Sequence, residues 1–182
     1  MILKAEMIHK KAKDVLKRCG TGDTVKIAEN LGIHVHFLGN LNQLLGMYTY
    51  RQKERHILLN ANMDDRFTQM VCAHEIGHDI LHREIAKSSR AIPEFVLFDI
   101  RSYPEYEANA FASHLLIDDD ELIGYMRQGF DIVKTAALMQ TNVNLMLIKL
   151  NELNRMGENF NLPYMPHPDF LKNIRPEENR KQ

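Results

Sequence analysis

Only two cysteines, Cys19 and Cys72, occur among the 182 residues, and they lie far apart. That is too few for the disulfide framework on which small secreted folds rely. Long apolar runs are missing too: none approaches the roughly 18 residues that a bilayer-spanning helix needs, so no membrane partner is expected. Charge of one sign is absent, since 23 basic against 24 acidic residues leave a formal net charge of −1. Such balance predicts no strong attraction to nucleic acid or anionic lipid, and no direct nucleic-acid role. Residues 1–13 mix charged and apolar side chains as an amphipathic helix does, without the n-region and h-region of a secretory signal. A reduced cytoplasm is the expected setting.

Against this plain background stands His74-Glu75-Ile76-Gly77-His78, an H-E-x-x-H sequence inside an apolar segment that predicts a helix over 68–81. Positions i and i+4 share a helix face, so His74 and His78 can aim both imidazoles at one metal ion. Glu75 then sits beside the ion, where a carboxylate can take a proton from a metal-activated water, the first step of metal-assisted hydrolysis. Val71, Cys72, Ala73, Ile76, Ile80 and Leu81 make the helix apolar on most sides, and a buried helix does not hold two imidazoles and a carboxylate without partners. The bland alternative is a pair of core histidines with ordinary hydrogen bonds. Cys72 falls about 160° away from His74's face and reads as core packing.

A catalytic zinc takes three protein ligands and keeps a fourth position open. The third is sought in the stretch from Glu105 to Leu116, where Ala108, Phe111, Ala112, Leu115 and Leu116 recur at helical spacing. Glu105 precedes Ala108 by one turn on the same stripe and is the candidate ligand. Glu107 is expected to face solvent and is the alternative. Asn109, four residues after Glu105, can steady a ligating imidazole or the carboxylate, or be a surface amide. His82 repeats the four-residue spacing, but His74 and His82 lie about 12 Å apart along the axis, so His82 reads as a helix-end residue interacting with terminal carbonyls. For an oxyanion donor the candidates are Tyr103 and His114, near Glu105 in sequence, and Tyr164 or His167 should the C-terminal segment fold back.

The rest of the chain predicts an α+β fold: a mostly helical single domain with a small antiparallel sheet next to the H-E-x-x-H helix. Helices are expected over 3–19 and 25–31, a strand over 33–38, and a hairpin of 47–51 and 56–60 joined by Gln52-Lys53-Glu54. His34 and His36 share one face of the first strand and read as solvated edge residues. An edge of the sheet could take up an extended peptide by strand addition. Residues 83–104 form a long connection that either borders the cleft or fills space. Three amphipathic pieces, 121–128, 132–139 and 143–156, suggest a helical subdomain over about 119–158, completing a domain of 1–158. Met126, Met139, Met146, Met156 and Met165 fall in or after it and read as core filling. Pro163, Pro166, Pro168 and Pro176 preclude regular helix in 159–182, whose charged end is expected to be disordered.

Together these residues resemble the ImmA/IrrE family of metallopeptidases. Its members combine H-E-[IL]-G-H-x-x-L-H, here His74 to His82, with E-x-x-A-N-x-F-A-x-x-L-L, here Glu105 to Leu116. The similarity extends from about Asp23 to Leu153, including Ile27 to Ile33 and Arg55 to Asn60. It implies one zinc ion held by His74, His78 and Glu105, with Glu75 as general base. It further implies a narrow protein substrate, a repressor-type transcription regulator encoded nearby on a phage or mobile element, whose cleavage relieves repression. One departure is Ile117-Asp118-Asp119-Asp120, where many members have a proline. A different class of reading is a non-catalytic regulatory protein in which zinc only organises the fold. Glu75 argues against it, because a structural site has no use for a base and favours a closed fourth position. A toxin-antitoxin component is a further alternative. A helix-turn-helix module is not expected, because a strand follows 24–33 where a recognition helix would be.

Overall fold

The computed structural model describes residues 2–89, 92–94 and 102–162. The chain opens with α1 (Ile2–Cys19) and α2 (Thr24–Asn30), continues through β1 (His34–Leu38), β2 (Gly46–Arg51) and β3 (Glu54–Asn60), and enters the long α3 (Asp65–Ser89). A short β4 (Ile92–Glu94) precedes α4 (Tyr103–Leu116), α5 (Asp119–Arg127), α6 (Ile132–Leu138) and α7 (Val143–Arg155). Local chemistry explains the boundaries. Asp23, Ser102, Asp118, Asp131 and Asn142 each sit in extended backbone and accept from the first-turn N–H groups of α2, α4, α5, α6 and α7. The β2–β3 turn places Gln52 and Lys53 at φ +52° and +69°, the left-handed pair that matches the twist of a two-residue hairpin.

The α+β expectation holds, and the sheet is richer than expected. Its order is β1-β3-β2-β4, and β2 and β3 form the expected antiparallel hairpin. The first strand, however, pairs in parallel with β3, His34 opposite His56, so the sheet is mixed. The fourth strand comes from the long connection and pairs with β2 along Gly46–Tyr48. This chain therefore occupies part of the β2 edge that the hairpin alone would offer to an incoming peptide.

Tyr48, Ile57 and Leu59 face inward from the sheet and are fully buried with Val71, Cys72, Ala73 and Ile76 of α3. Each such aliphatic side chain contributes about 1.5–3 kcal/mol when withdrawn from water. Helix α4 packs on α3 at Gly77, where a Cβ would lie 3.0 Å from both Cα and O of Ala108. Behind it lie α1 and α7. Because α4 has neighbours on both sides, every residue from Glu107 to Leu115 is buried. Met146 is fully buried, and Met126, Met139 and Met156 pack against the core, as core filling requires; Met165 lies outside the described residues.

One buried carboxylate fastens the sheet to the helix that carries the motif. Asp79 accepts from Tyr48 Oη at 2.7 Å, from Arg55 Nη1 at 3.0 Å and from Arg83 Nε and Nη2 at 3.1 and 2.8 Å. Two guanidiniums balance its charge, as a buried carboxylate requires. Arg55 also donates to the carbonyls of Leu31 and Gly32 at the end of α2, so α2, β2, β3 and α3 meet at this residue. No helix among the described residues is long and apolar enough to cross a membrane.

Candidate metal centre

Helix α3 sets His74 and His78 one turn apart on a single face, and α4 brings Glu105 to them from its first turn. The three ligand atoms converge: Nε2 of His74 and His78 are 2.9 Å apart, and Oε2 of Glu105 lies 3.2 Å from the first and 3.5 Å from the second. Ligands at about 2.0–2.1 Å from a tetrahedral zinc are separated by about 3.3–3.4 Å, so these edges fit one ion. Both imidazoles are almost wholly buried, while the Glu105 side chain is 20% exposed.

Protonation suits metal binding as well. Burial pushes the His78 imidazole down to about 4, which keeps it neutral with a lone pair free. Burial alone would raise the Glu105 carboxyl, but the adjacent His74 and His78 imidazoles outweigh it and hold the group well below the usual carboxylate range. Neutral imidazoles and an ionised carboxylate are the forms that ligate.

Each histidine is oriented from behind by α4. Asn109 Oδ1 stands 3.0 Å from His74 Nδ1; an amide oxygen only accepts, so that nitrogen carries the proton and Nε2 keeps its lone pair. His78 Nδ1 lies 3.1 Å from His82 Nδ1, and His82 Nε2 lies 3.2 Å from Glu107 Oε2. Since Glu107 accepts from Nε2–H of His82, the His82 Nδ1 is the acceptor and His78 Nδ1–H donates to it. Lys4 of α1 pairs with the same Glu107 carboxylate.

Two expectations are corrected here. Glu107 does not face solvent: it is 8% exposed, because His82 of α3 and Lys4 of α1 both close over its carboxylate. His82 is not spent on terminal carbonyls: at φ −127° it breaks the helical run of α3 and inserts between His78 and Glu107. Asn109, left open between two roles, is 1% exposed and lies behind His74.

Glu75 is fully buried against the start of β2. A Cβ on Gly46 would stand 2.7 Å from its Oε1 and 2.6 Å from Val71 Cγ1, so only glycine lets the strand pass this close to the carboxylate. Sequence reasoning missed Gly46; a glycine opening a strand two residues before an aromatic was its only signal.

Of the described oxyanion candidates, neither is buried beside the three converging atoms. Tyr103 is 83% exposed. His114 lies nine residues beyond Glu105, about 13 Å along the helix, and accepts at Nδ1 from Lys149 Nζ at 2.9 Å. Tyr164 and His167 lie outside the described residues. His114 belongs to a second cluster with His9 and Asp119. There the Lys149 ammonium already pairs with Asp119 and supplies the positive charge that a metal would bring.

Comparison with known proteins agrees with this geometry. The Peptidase_M78 model, described as the IrrE N-terminal-like domain, matches residues 28–151. The chain belongs to this family. That span holds both His-bearing turns of α3 and the whole of α4. Among curated proteins, the "Metallopeptidase ImmA" of Bacillus subtilis (strain 168) is 29% identical over 133 residues, 71% of this chain and 76% of that protein. The "Uncharacterized immunity region protein 2" of Bacillus phage phi105 is 28% identical over 148 residues, 81% of this chain and 92% of that protein. A metal-dependent peptidase family and a His-His-Glu donor set thus point the same way.

Proposed function

We propose that this Peptidase_M78 member is a zinc-dependent, site-specific endopeptidase whose substrate is a repressor-type transcription regulator. The observation that carries the reading is the convergence of His74, His78 and Glu105 at 2.9–3.5 Å with Glu75 buried in the next position on α3. A zinc ion held by these three residues would polarise the scissile carbonyl and lower the pKa of a water toward 7. Glu75 accepts a proton from the attacking water as its oxygen bonds to the carbonyl carbon. It then delivers that proton to the amide nitrogen as the C–N bond breaks, and the carboxylate is regenerated. Asn109 and the His82–Glu107 pair hold the two imidazoles in the ligating tautomer through both steps.

The immunity-region and ImmA names of its relatives support a regulatory protein as the substrate. The deciding experiment measures zinc content and intact mass for the wild type and Glu75→Gln, each incubated with a repressor encoded beside it. Zinc in both with cleavage only by the wild type is expected. Cleavage that persists in Glu75→Gln, or a wild type that carries zinc and leaves the repressor whole, would overturn the reading.

A further inference from the structure

We propose that His34, His36 and His56 form a second metal site on the outer face of the sheet, taking a divalent transition-metal ion such as Zn2+ or Ni2+. Side chains two residues apart on a strand project from the same face, so His34 and His36 rise together from β1. The parallel register sets His56 of β3 beside His34. Ile57 and Leu59, the inward neighbours of this row, are fully buried, so the three imidazoles stand on the side of the sheet opposite α3 and its metal cluster.

Two of the three already stand at ligand spacing. His36 Nε2 lies 3.2 Å from His56 Nδ1, close to the edge of about 3.3–3.4 Å between two nitrogens on one tetrahedral ion. The His34 ring stacks on His56 with centroids 5.2 Å apart. Exposed on an edge strand, it completes the set by rotating off this stack to aim a nitrogen at the same point. Burial and the two neighbouring imidazoles depress the His56 pKa, which keeps its lone pair available near neutrality. Glu54 Oε2 stands 3.8 Å from His56 Nε2, on the ring edge away from Nδ1, where a carboxylate steadies a ligating imidazole. Three imidazoles with the remaining positions left to water suit zinc, nickel and copper, and disfavour magnesium and calcium, which prefer oxygen.

The inference is independent of the peptidase reading, and one titration separates them. Full-length protein freed of metal by chelator is titrated with Zn2+, and ions per chain are counted calorimetrically and by native mass spectrometry. Wild type should bind two ions. His36→Ala/His56→Ala should bind one and keep peptidase activity, and His34→Ala should weaken the second ion by about tenfold or more. His74→Ala/His78→Ala should retain the outer ion. A single ion in wild type that disappears with His74 and His78 overturns this inference and leaves the peptidase reading standing. A second ion bound equally well without His36 and His56 also overturns it.

Discussion

Gly77 is the narrowest point between α3 and α4, and replacing it with alanine tests how the metal centre is assembled. A Cβ there would meet Ala108 Cα and O at 3.0 Å and Phe111 Cβ at 3.3 Å. Two of the three atoms are backbone, so no side-chain rotation relieves the contact, and α4 must retreat by about half an ångström to reach the 3.5–4.0 Å of ordinary carbon contacts. In a helix interior alanine is favoured over glycine by about 1 kcal/mol, whereas forcing a methyl into a packed interface opposes by about 1–3 kcal/mol. Gly124→Ala in α5, where nothing lies within 4 Å of the new Cβ, reports the first effect alone. The two variants should therefore differ by about 1–3 kcal/mol. At about 2–4 °C of Tm per kcal/mol for a chain of this size, calorimetry should place Gly77→Ala well below Gly124→Ala. The same retreat carries Glu105 away from His74 and His78, so zinc affinity should fall by about tenfold, given that such sites tolerate roughly 0.5 Å of error. Gly77→Ala as stable as Gly124→Ala, with zinc affinity unchanged, would refute the claim that this contact sets the spacing of the ligands.

Other perturbations probe the remaining links. Gly46→Ala pushes first on Val71 and Glu75, so kcat/KM on the protein substrate should fall by about a hundredfold while zinc content stays at the wild-type level. Glu107→Ala and Asn109→Ala each remove a group that orients a ligand histidine, and competition with a chelator should show zinc affinity lowered by about 10- to 100-fold. Asp79→Asn strips the charge that holds Arg55 and Arg83; a loss of about 2–4 kcal/mol is expected in urea unfolding, below the full value for a buried pair because both guanidiniums are partly exposed. His114 provides the pH test. Burial first, then repulsion from Lys149 and His9, push its imidazole from 6.5 down to about 2. Between those values the unfolded chain takes up a proton that the folded chain refuses, so stability falls as pH drops through that window, by up to about 1.4 kcal/mol per pH unit. In His114→Asn the amide oxygen can accept from Lys149 without titrating, and the fall in urea midpoint from about pH 7 to pH 5 should be smaller than in the wild type.

Legibility from sequence followed the number of neighbours each element has. The hairpin was readable because Gln52-Lys53 and the flanking strands are local, and His74 with His78 because their spacing is fixed by a single helix. Glu105 was placed by the apolar stripe of α4 and by resemblance, and the geometry brings it to the two imidazoles. The same face argument failed for Glu107, since helical-wheel reasoning assumes one buried face and α4 is covered by α3 on one side and by α1 and α7 on the other. His82 was misjudged for a related reason: the departure from helical φ and ψ that lets its ring slide between His78 and Glu107 leaves no mark in the sequence. The parallel pairing of β1 was hidden because its partner is not the next strand in the chain. With that register unknown, His34 and His36 looked like two solvated residues rather than two members of a group of three.

Much of the outer support of the candidate metal centre comes from α4. Glu105 would complete the donor set, Asn109 lies against His74, and Glu107 reaches His78 through His82, so α4 supports both candidate ligand imidazoles. Glu105 and Asn109 lie one turn apart, and Glu107 stands between them on the far side. A helix can serve both sides only when the opposing chain bends toward it, and the break at His82 supplies that bend. Lys4 then extends the chain of contacts to the first turns of α1. An ion bound at this centre joins two helices already in contact at Gly77, so its binding energy adds directly to the stability of the α3–α4 interface. Metal affinity is accordingly a property of how these two helices pack as much as of the three ligands.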